Sequence, residues 1–319
     1  MTSTFTTRPV RLGTRPSPMA MEQTAHFAEL FRSRHPGICL EIVTIVSEGD
    51  RHRDPLSQTD GKGAFTRSAD TRLLDGRVEA TISCAKDLPS PHDRAPDITV
   101  GAVLPREDAR DVLVLPSGHS PATLADLPPG TRVGTSAPRR AALLRTLYPE
   151  LEPVAIRGNA DSRLSGLDSG TLGVDVMIAA LAGLRRLGLA ERASQILDPT
   201  QWLPASGAGV IVIEHRSDDP TTANMLAPLT HHPTRIVLDA ERAALATLHG
   251  DCLTAASVHA VHDPAAESVT VHAVVLDPAG GTPIRTIASG PDTHPARTGR
   301  RAGKQLLNAG AAALLGNPS

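Results

Sequence analysis

The sequence predicts an α/β protein built from two larger units and a smaller C-terminal α+β unit. Three observations support this prediction. β-Branched runs alternate with amphipathic helical patterns from residue 10 to residue 104, and the alternation resumes after a charged turn at residues 106–111. From about residue 230 the order changes to a helix, two strands and a final helix. A chain of 319 residues can hold two or three domains with separate cores.

The first unit opens with a strand at residues 10–13, which a helix follows. Ser17 is the predicted N-cap and Pro18 the first helical residue, and the helix ends before Pro36. The β-branched segment 38–46 predicts a buried strand. The rest of the unit is a mobile loop at 48–61, a further helix, and strands at 78–82 and 98–104.

The second unit has strands separated by helical or turn-rich segments. Its predicted elements are strands at 112–115, 132–134, 153–156 and 174–178, and a helix from about Pro138. A strand at 210–213 is expected to return to the first unit. The C-terminal unit has a helix at 239–248, strands at 257–261 and 268–276, and a helix that ends near Leu315.

The composition argues against several classes of function. A net charge of −2 and 2% aromatic residues favour neither nucleic acid nor a membrane surface as partner. No apolar run approaches the ~20 residues of a membrane span, and residues 1–11 lack the apolar core of a signal peptide. The three cysteines form no CxxC pair, and His249 and Cys252 lack further metal ligands. We therefore expect a cytoplasmic protein without a metal site.

One lysine stands in a position that suggests chemistry. The chain has three lysines, at 62, 86 and 304, and Lys86 is followed at once by Asp87. This pair comes directly after the predicted strand at 78–82, and loops at strand ends are where α/β proteins place reactive groups. The alternative is a solvated ion pair at a turn.

Arginines occur where helices are predicted to begin. Arg139 and Arg140 lie in the first turn of the helix from Pro138, where the helix dipole disfavours positive charge. An anion bound at this N-terminus would explain them, and a solvated pair is the alternative. Further arginines follow other predicted strands, namely Arg15, Arg157, Arg163 and Arg186. This distribution predicts a ligand with several carboxylates or phosphates. The sequence contains no Walker-type glycine-rich loop that would favour phosphate.

Several short motifs follow one another in order along essentially the whole chain. They are residues 12–18 (Leu-Gly-Thr-Arg-Pro-Ser-Pro), 49–50 (Gly-Asp), 61–65 (Gly-Lys-Gly-Ala-Phe), 86–89 (Lys-Asp-Leu-Pro), 105–108 (Pro-Arg-Glu-Asp), 134–136 (Gly-Thr-Ser), 139–140 (Arg-Arg), 157–159 (Arg-Gly-Asn) and 182–188 (Ala-Gly-Leu-Arg-Arg-Leu-Gly). Together these motifs resemble the hydroxymethylbilane synthase (porphobilinogen deaminase) family.

The resemblance implies three domains. Two lobes similar to type II periplasmic binding proteins would face each other across a cleft, and a third domain would carry a covalent dipyrromethane cofactor. Domain 1 is expected at 1–108 and 208–228, domain 2 at 109–207 and domain 3 at 229–319. The implied activity is that of a transferase, which joins four porphobilinogen molecules head to tail into hydroxymethylbilane and releases ammonia in heme and porphyrin biosynthesis. Each pyrrole carries an acetate and a propionate, so the growing chain is a polycarboxylate.

The resemblance also implies a role for each site residue. Asp87 would be the catalytic carboxylate, which helps ammonia to leave and stabilises the positive charge that develops. Cys252 would attach the cofactor, because a thiol is a soft nucleophile. Lys62 and Phe65 would belong to a lid. The residues that would hold carboxylates of the cofactor or substrate are Lys86, Arg15, Ser17, Arg139, Arg140, Arg157, Arg163 and Arg186.

The chain departs from the family pattern at several of these places. The substituted positions are Ser83, Cys84, Ala137, Pro138, Ala208 and Asp251. A lost hydrogen bond to a charged group costs about 1.5–3 kcal/mol, so several losses together would slow the reaction or change its substrate. Asp251 places a negative charge beside Cys252 and is expected to raise the pKa of that thiol.

Two alternatives to the main interpretation stay open at this point. One is a divergent paralogue with lost or redirected pyrrole-chain activity, and the other is a carboxylate-binding protein on the same fold. The expected partner is porphobilinogen as a small-molecule substrate, with neither nucleic acid nor membrane. The resemblance implies a monomer.

Overall fold

The computed structural model describes residues 9–47, 66–250 and 254–315. In these ranges the chain forms three sheets, two of five strands and one of three. The predicted architecture of two α/β lobes with a smaller C-terminal α+β unit is confirmed. None of the described helices is long and apolar enough to cross a membrane.

Lobe 1 is built on a sheet with the strand order β2-β1-β3-β10-β4. Its strands are β1 (Val10–Thr14), β2 (Leu40–Thr44), β3 (Ala80–Cys84), β4 (Ile98–Val103) and β10 (Ile211–Arg216). Strand β1 is parallel to β2 and β3, whereas β10 runs antiparallel to β3 and β4. The predicted return of the strand near residue 210 to the first unit is therefore confirmed. The helices of lobe 1 are α1 (Pro18–Arg34), α2 (Arg67–Leu74) and α6 (Pro220–Leu226).

Lobe 2 has the same pattern, with the strand order β7-β6-β8-β5-β9. Its strands are β5 (Asp111–Val114), β6 (Arg132–Thr135), β7 (Glu152–Ala155), β8 (Val176–Ala180) and β9 (Ala193–Ile196). Strand β6 is parallel to β7 and β8, and β5 is antiparallel to its two neighbours. The helices are α3 (Pro138–Leu147), α4 (Ala160–Asp168) and α5 (Leu181–Arg186). In each lobe the strand next to one edge of the sheet is antiparallel to its neighbours, and it is the first strand after the chain enters from the other lobe. This strand is β10 in lobe 1 and β5 in lobe 2.

The C-terminal unit is an antiparallel sheet packed against helices. The strands are β11 (Ala256–Asp263), β12 (Ser268–Val275) and β13 (Ile284–Pro291), and the helices are α7 (His232–Thr247), α8 (Pro295–Asn308) and α9 (Ala311–Leu314). Its core includes Val258, Val271 and Ala302, all of them excluded from solvent. Leu276 continues from β12 into a second cluster with Trp202 of lobe 2, so this unit and lobe 2 share apolar packing.

Several sequence expectations about single elements need correction. The segment 38–46 forms the short strand β2, which is not fully buried: it is the edge strand of its sheet, and Glu41 and Thr44 are exposed. Helix α7 begins seven residues earlier than expected, since Pro233 occupies its first turn. Strands β9 and β13 were not predicted. The expected loop at 48–61 lies outside the described residues. The domain boundaries stay a prediction, and each strand lies on the side of them that was expected.

Candidate functional site

The candidate site lies where parallel strands of both lobes end. The carboxyl ends of such strands are the usual place for ligands in α/β proteins. Here β1 leads to Arg15 and Ser17, β3 leads to Lys86 and Asp87, and three strands of lobe 2 lead to the remaining arginines. Ser17 caps helix α1, with its Oγ accepting a hydrogen bond from Ala20 N at 3.4 Å, as predicted. Arg15 is half-buried.

Lys86 and Asp87 belong to a short 3-10 turn, Ala85–Asp87, which we call the site turn. Ala85 and Leu88 are buried on either side of the two polar residues, which stay half-exposed. The backbone N of Ala85 donates to Val210 O at 2.9 Å and holds the turn against β10. In the described ranges neither Lys86 nor Asp87 makes a side-chain hydrogen bond or ion pair. Both are therefore available to a ligand.

Arg163 of lobe 2 lies within electrostatic range of this carboxylate. Burial lowers the pKa of Arg163 to about 10, and the positive charges of Arg140 and Arg157 lower it further. The charge of Asp87 acts on Arg163 in the opposite direction. Four of the predicted residues, three from one lobe and one from the other, therefore lie within electrostatic range of one another. A crowd of guanidiniums that lower one another's pKa is a surrounding that favours a bound anion.

Two guanidinium nitrogens at this place lack partners. Nε of Arg140 and Nε of Arg163 are buried and have no hydrogen-bond partner among the described residues. Buried donors in native proteins are nearly always satisfied, so unpaired ones point to a missing acceptor. Carboxylates are suitable acceptors because the guanidinium fork matches their two oxygens.

The two lobes also meet at Cys84 and Arg186. Gln23 of α1 donates from Nε2 to the Sγ of Cys84 at 3.1 Å. Burial and the charge of Asp87 raise the pKa of this thiol, while Lys86 and Arg186 act in the opposite direction. The thiol is therefore neutral near pH 7. Close to this point Met19 of α1 touches Gly183 of α5, where a Cβ would lie 2.9 Å from the methionine methyl group.

Arg139 and Arg140 have an internal partner that the sequence did not reveal. Both donate to the carboxylate of Asp111, at 2.5 Å and 2.6 Å, and the indole Nε1 of Trp202 donates to the same carboxylate at 2.9 Å. Arg139 also donates to Leu203 O at 3.0 Å. The chain thus supplies one anion at the start of α3 that the sequence did not reveal, while Nε of Arg140 keeps no partner among the described residues, so the predicted binding of an external anion there stays a prediction. Burial opposes the charge on Asp111, but the two guanidiniums hold its pKa well below its usual range.

The loop at 207–209 closes the side of the site next to the site turn. Gly207 and Gly209 have φ values of +70° and +78°, which a side chain would strain. Arg106 donates from Nε to Ala208 O at 2.9 Å, and Arg186 donates from Nη2 to Gly209 O at 2.7 Å. Arg186 is therefore held between this loop and the cleft. Ala208 is buried and contributes its carbonyl, so its small side chain does not leave a gap in this contact.

The remaining predicted residues divide into two groups. Arg157 is half-buried after β7, next to Asn159, whose side chain caps α4 by accepting from Ser162 N at 2.9 Å. Cys252, Lys62 and Phe65 lie outside the described residues. Sequence reasoning missed Gln23 and Asp111. Asp111 had one recognisable signal, a charge at the start of an otherwise apolar strand, whereas Gln23 had none.

Comparisons with known proteins agree with the motifs in the sequence. A family model described as "Porphobilinogen deaminase, dipyromethane cofactor binding domain" matches residues 10–224. A porphobilinogen deaminase of Acidothermus cellulolyticus is 41% identical over 323 residues, which cover 100% of this chain and 94% of that protein. One of Stenotrophomonas maltophilia is 38% identical over 96% of this chain and 98% of that protein. Among solved structures, the periplasmic aliphatic sulphonate binding protein of Escherichia coli is 14% identical, with a TM-score of 0.42 over 76% of this chain and 75% of that one.

Proposed function

Because the chain belongs to the porphobilinogen deaminase family, we propose that it joins four porphobilinogen molecules head to tail into hydroxymethylbilane, with release of ammonia, in tetrapyrrole biosynthesis. The observation that carries this proposal is the position of Asp87, which is half-exposed, has no side-chain partner among the described residues and lies within electrostatic range of Arg163 of lobe 2. A pyrrole chain carries carboxylates at its edge and develops positive charge at its reacting end. The site offers a group of the opposite sign for each.

The residues present fit a dipyrromethane cofactor. Its acetate and propionate groups are the acceptors that the unpaired Nε atoms of Arg140 and Arg163 lack. Arg157, Arg186, Arg15, Lys86 and Ser17 would hold the other carboxylates, and Cys252 would attach the group as a thioether. When bound, the cofactor supplies the pyrrole to which the chain is extended. Arg139 contributes indirectly, since its terminal nitrogens are held by Asp111 and Leu203.

Asp87 would act on the substrate end of the chain. A carboxylate beside the pyrrole nitrogens stabilises positive charge as ammonia leaves, and it can accept a hydrogen bond from those nitrogens. The apolar residues on either side of the site turn fix its position, so little reorganisation accompanies the reaction. Lys86, next to it, would bind a carboxylate of the incoming molecule. Lys62 and Phe65 would belong to a lid at this end of the cleft.

The departures from the family pattern fall on both lobes. Cys84 is a neutral thiol that accepts from Gln23, so it can still offer a weak S–H donor to the cleft. Pro138 occupies the first turn of α3 and has no backbone N–H to donate. Thr135 partly compensates, because its Oγ1 accepts from Ala137 N at 3.2 Å and orders the turn. These features support retained ligand binding with a weaker grip at the start of α3.

Intact mass and product formation test the proposal together. We expect the purified protein to be heavier than the bare chain by two pyrrole units, and Cys252→Ser to have the bare mass. Asp87→Asn should form no hydroxymethylbilane from porphobilinogen, whether or not the purified variant carries the added mass. Cys39→Ser is the matched control, because this exposed thiol lies outside the site and its loss should leave mass gain and turnover unchanged.

Two results would contradict the proposal. A wild-type protein of bare mass that forms no product would favour the non-catalytic binding protein, or a paralogue with redirected activity. Near-normal turnover by Asp87→Asn would remove the assigned role of that carboxylate.

We further place the protein in the cytoplasm as a monomer that binds no nucleic acid. Free thiols at Cys39 and Cys84 support a reducing compartment. The net charge of −2 supports the absence of nucleic acid binding. Sedimentation of the purified protein, with and without duplex DNA, measures both properties.

A further inference from the structure

Helix α7 of the C-terminal unit lies behind the site turn of lobe 1. Leu238, Glu241 and Arg242 stand on one face of this helix because they are three and four residues apart. Leu238 is 1% exposed and belongs to the same buried cluster as Ala85 and Leu88, which flank the two polar residues of the turn. The chain just beyond the turn is held as well, since Arg242 donates from Nη2 to the carbonyl of the next proline, Pro89, at 3.0 Å.

Glu241 is the central group of this contact. It is completely excluded from solvent, and its carboxylate accepts three hydrogen bonds. Oε1 accepts from Arg106 Nη1 at 2.7 Å and from Ala260 N at 2.8 Å. Oε2 accepts from Gly207 N at 2.7 Å. One buried carboxylate therefore joins the connection between the lobes, the C-terminal sheet and the 207–209 loop.

Gly207 passes this restraint on to the site turn. A Cβ at Gly207 would lie 2.8 Å from both the carbonyl carbon of Ala85 and the N of Lys86. The loop is thus pressed directly on the peptide bond that precedes Lys86. The position of Gly207, which Glu241 sets, therefore limits where the Ala85–Lys86 peptide can lie, and with it the side chains of Lys86 and Asp87.

We propose that the Leu238–Glu241–Arg242 face of α7 is a positioning element for the catalytic carboxylate, Asp87. The proposal rests on the function proposed above. The same helix ends at Thr247, which is five residues before Cys252 in the sequence. From residue 241 to residue 247 the helix rises only about 9 Å.

The experiment compares Glu241→Gln with Glu214→Gln at pH 6.5. Glu214 is a buried acidic group in the same lobe as the site turn, and it forms no hydrogen bond or ion pair with the described 207–209 loop. Because folded Glu214 is largely protonated at this pH, its variant leaves the charge near Arg242 largely unchanged and controls for a carboxyl-to-amide change at a buried position. An amide at position 241 cannot accept from Arg106 and Gly207 through both of its end atoms. We expect kcat to fall about 10- to 100-fold, as roughly 1 Å of misplacement of a catalytic group does, with KM changed less than about threefold. Glu214→Gln should keep kcat within about twofold.

Amide exchange provides a measurement that needs no turnover. In Glu241→Gln, exchange at residues 85–88 should accelerate at least about tenfold, because Ala85 N and Leu88 N hold the turn, while lobe 2 stays unchanged. A milder second variant, Leu238→Val, removes one methylene from the same contact and should raise exchange in the same segment if Glu241→Gln does not fold. Unchanged exchange and a kcat within twofold in the folded variants would overturn the proposal. An inactive wild type that still shows the exchange coupling would instead contradict the proposed function alone.

Discussion

Asp111 shows how a single buried carboxylate can determine what neighbouring arginines do. Three donors, the guanidiniums of Arg139 and Arg140 and the indole of Trp202, converge on it. Paired buried charges are weak contributors as a unit, but removal of one partner leaves the others without compensation. The arginines at the start of α3 therefore depend on Asp111 before they can face any ligand.

Asp111→Asn should lower the free energy of unfolding by about 3–5 kcal/mol, because two buried guanidiniums lose their counter-charge. Because the pKa of Asp111 is lower in the folded protein than in the unfolded chain, its contribution to the free energy of unfolding depends on pH. This contribution is complete above the pKa of an unfolded aspartate and is lost as pH falls through the lower folded pKa. Denaturant unfolding at pH 7 measures the first effect. Asp198→Asn, at an exposed position, should change stability by less than about 0.5 kcal/mol. Equal losses for the two variants would contradict the interpretation.

Arg139 and Arg140 also show what sequence reasoning can reach at the scale of single residues. The sequence left two interpretations of the start of α3, a bound anion or a solvated arginine pair, and it identified Asp87, Arg157, Arg163 and Arg186 as candidate site residues. It could not identify the anion as Asp111, since the partners are 28 and 29 residues apart and meet only when β5 is placed beside β8. Contacts of this kind depend on sheet order, which local patterns do not contain.

At the scale of elements, the loop at 207–209 has a backbone that its neighbours constrain closely. Its two glycines have positive φ, and one of them touches the peptide bond before Lys86. Strand and helix patterns predicted most elements well, because their apolar periodicity and proline caps are local. The edge strand β2, the early start of α7 and the strands β9 and β13 were missed or misjudged, because burial at these places is decided by packing between elements.

A comparison of Gly207→Ala with Gly170→Ala separates the steric clash of an added Cβ from the backbone strain of a positive φ. Gly207→Ala adds a Cβ at φ +70° and places it 2.8 Å from the backbone of Ala85 and Lys86. Gly170→Ala has the same φ of +70° with nothing within 4 Å, so it reports the conformational cost alone, about 1–2 kcal/mol. We expect Gly207→Ala to cost at least about 2 kcal/mol more and to lower kcat. Thermal and denaturant unfolding of both variants check this. Identical costs would mean that the loop yields freely.

For the molecule as a whole, lobe 1 and the C-terminal unit are joined by a buried group of charges. Glu214 of β10 pairs with Arg94, and Asp70 of α2 and Arg242 of α7 lie within electrostatic range. Burial raises the pKa of Glu214 to about 7; Arg94 pulls it down and Asp70 pushes it up. The ion pair alone would predict a low pKa, so desolvation is the stronger influence here.

The free energy of unfolding should therefore fall as pH rises through the range in which Glu214 is protonated in the folded protein but ionised in the unfolded chain. Between about 4.5 and 7 the folded protein keeps a proton that the unfolded chain has lost, so the free energy of unfolding decreases with pH, by roughly 3 kcal/mol at most. Glu214→Gln removes this contribution. Denaturant midpoints of both proteins at pH 5 and pH 8 isolate it, because all other titrating groups are shared. Parallel pH profiles would show that Glu214 does not titrate in this window.

The strand order of lobe 1 has a consequence for how the protein folds during its synthesis on the ribosome. Strand β10, between β3 and β4, is synthesised only after residues 111–196, which contain all five strands of lobe 2. During translation β4 has no neighbour to join until residue 216 emerges, whereas lobe 2 has a complete set of strands some twenty residues sooner. The sheet of lobe 1 therefore keeps an open edge, which can pair wrongly with other strands, until after lobe 2 has all of its strands.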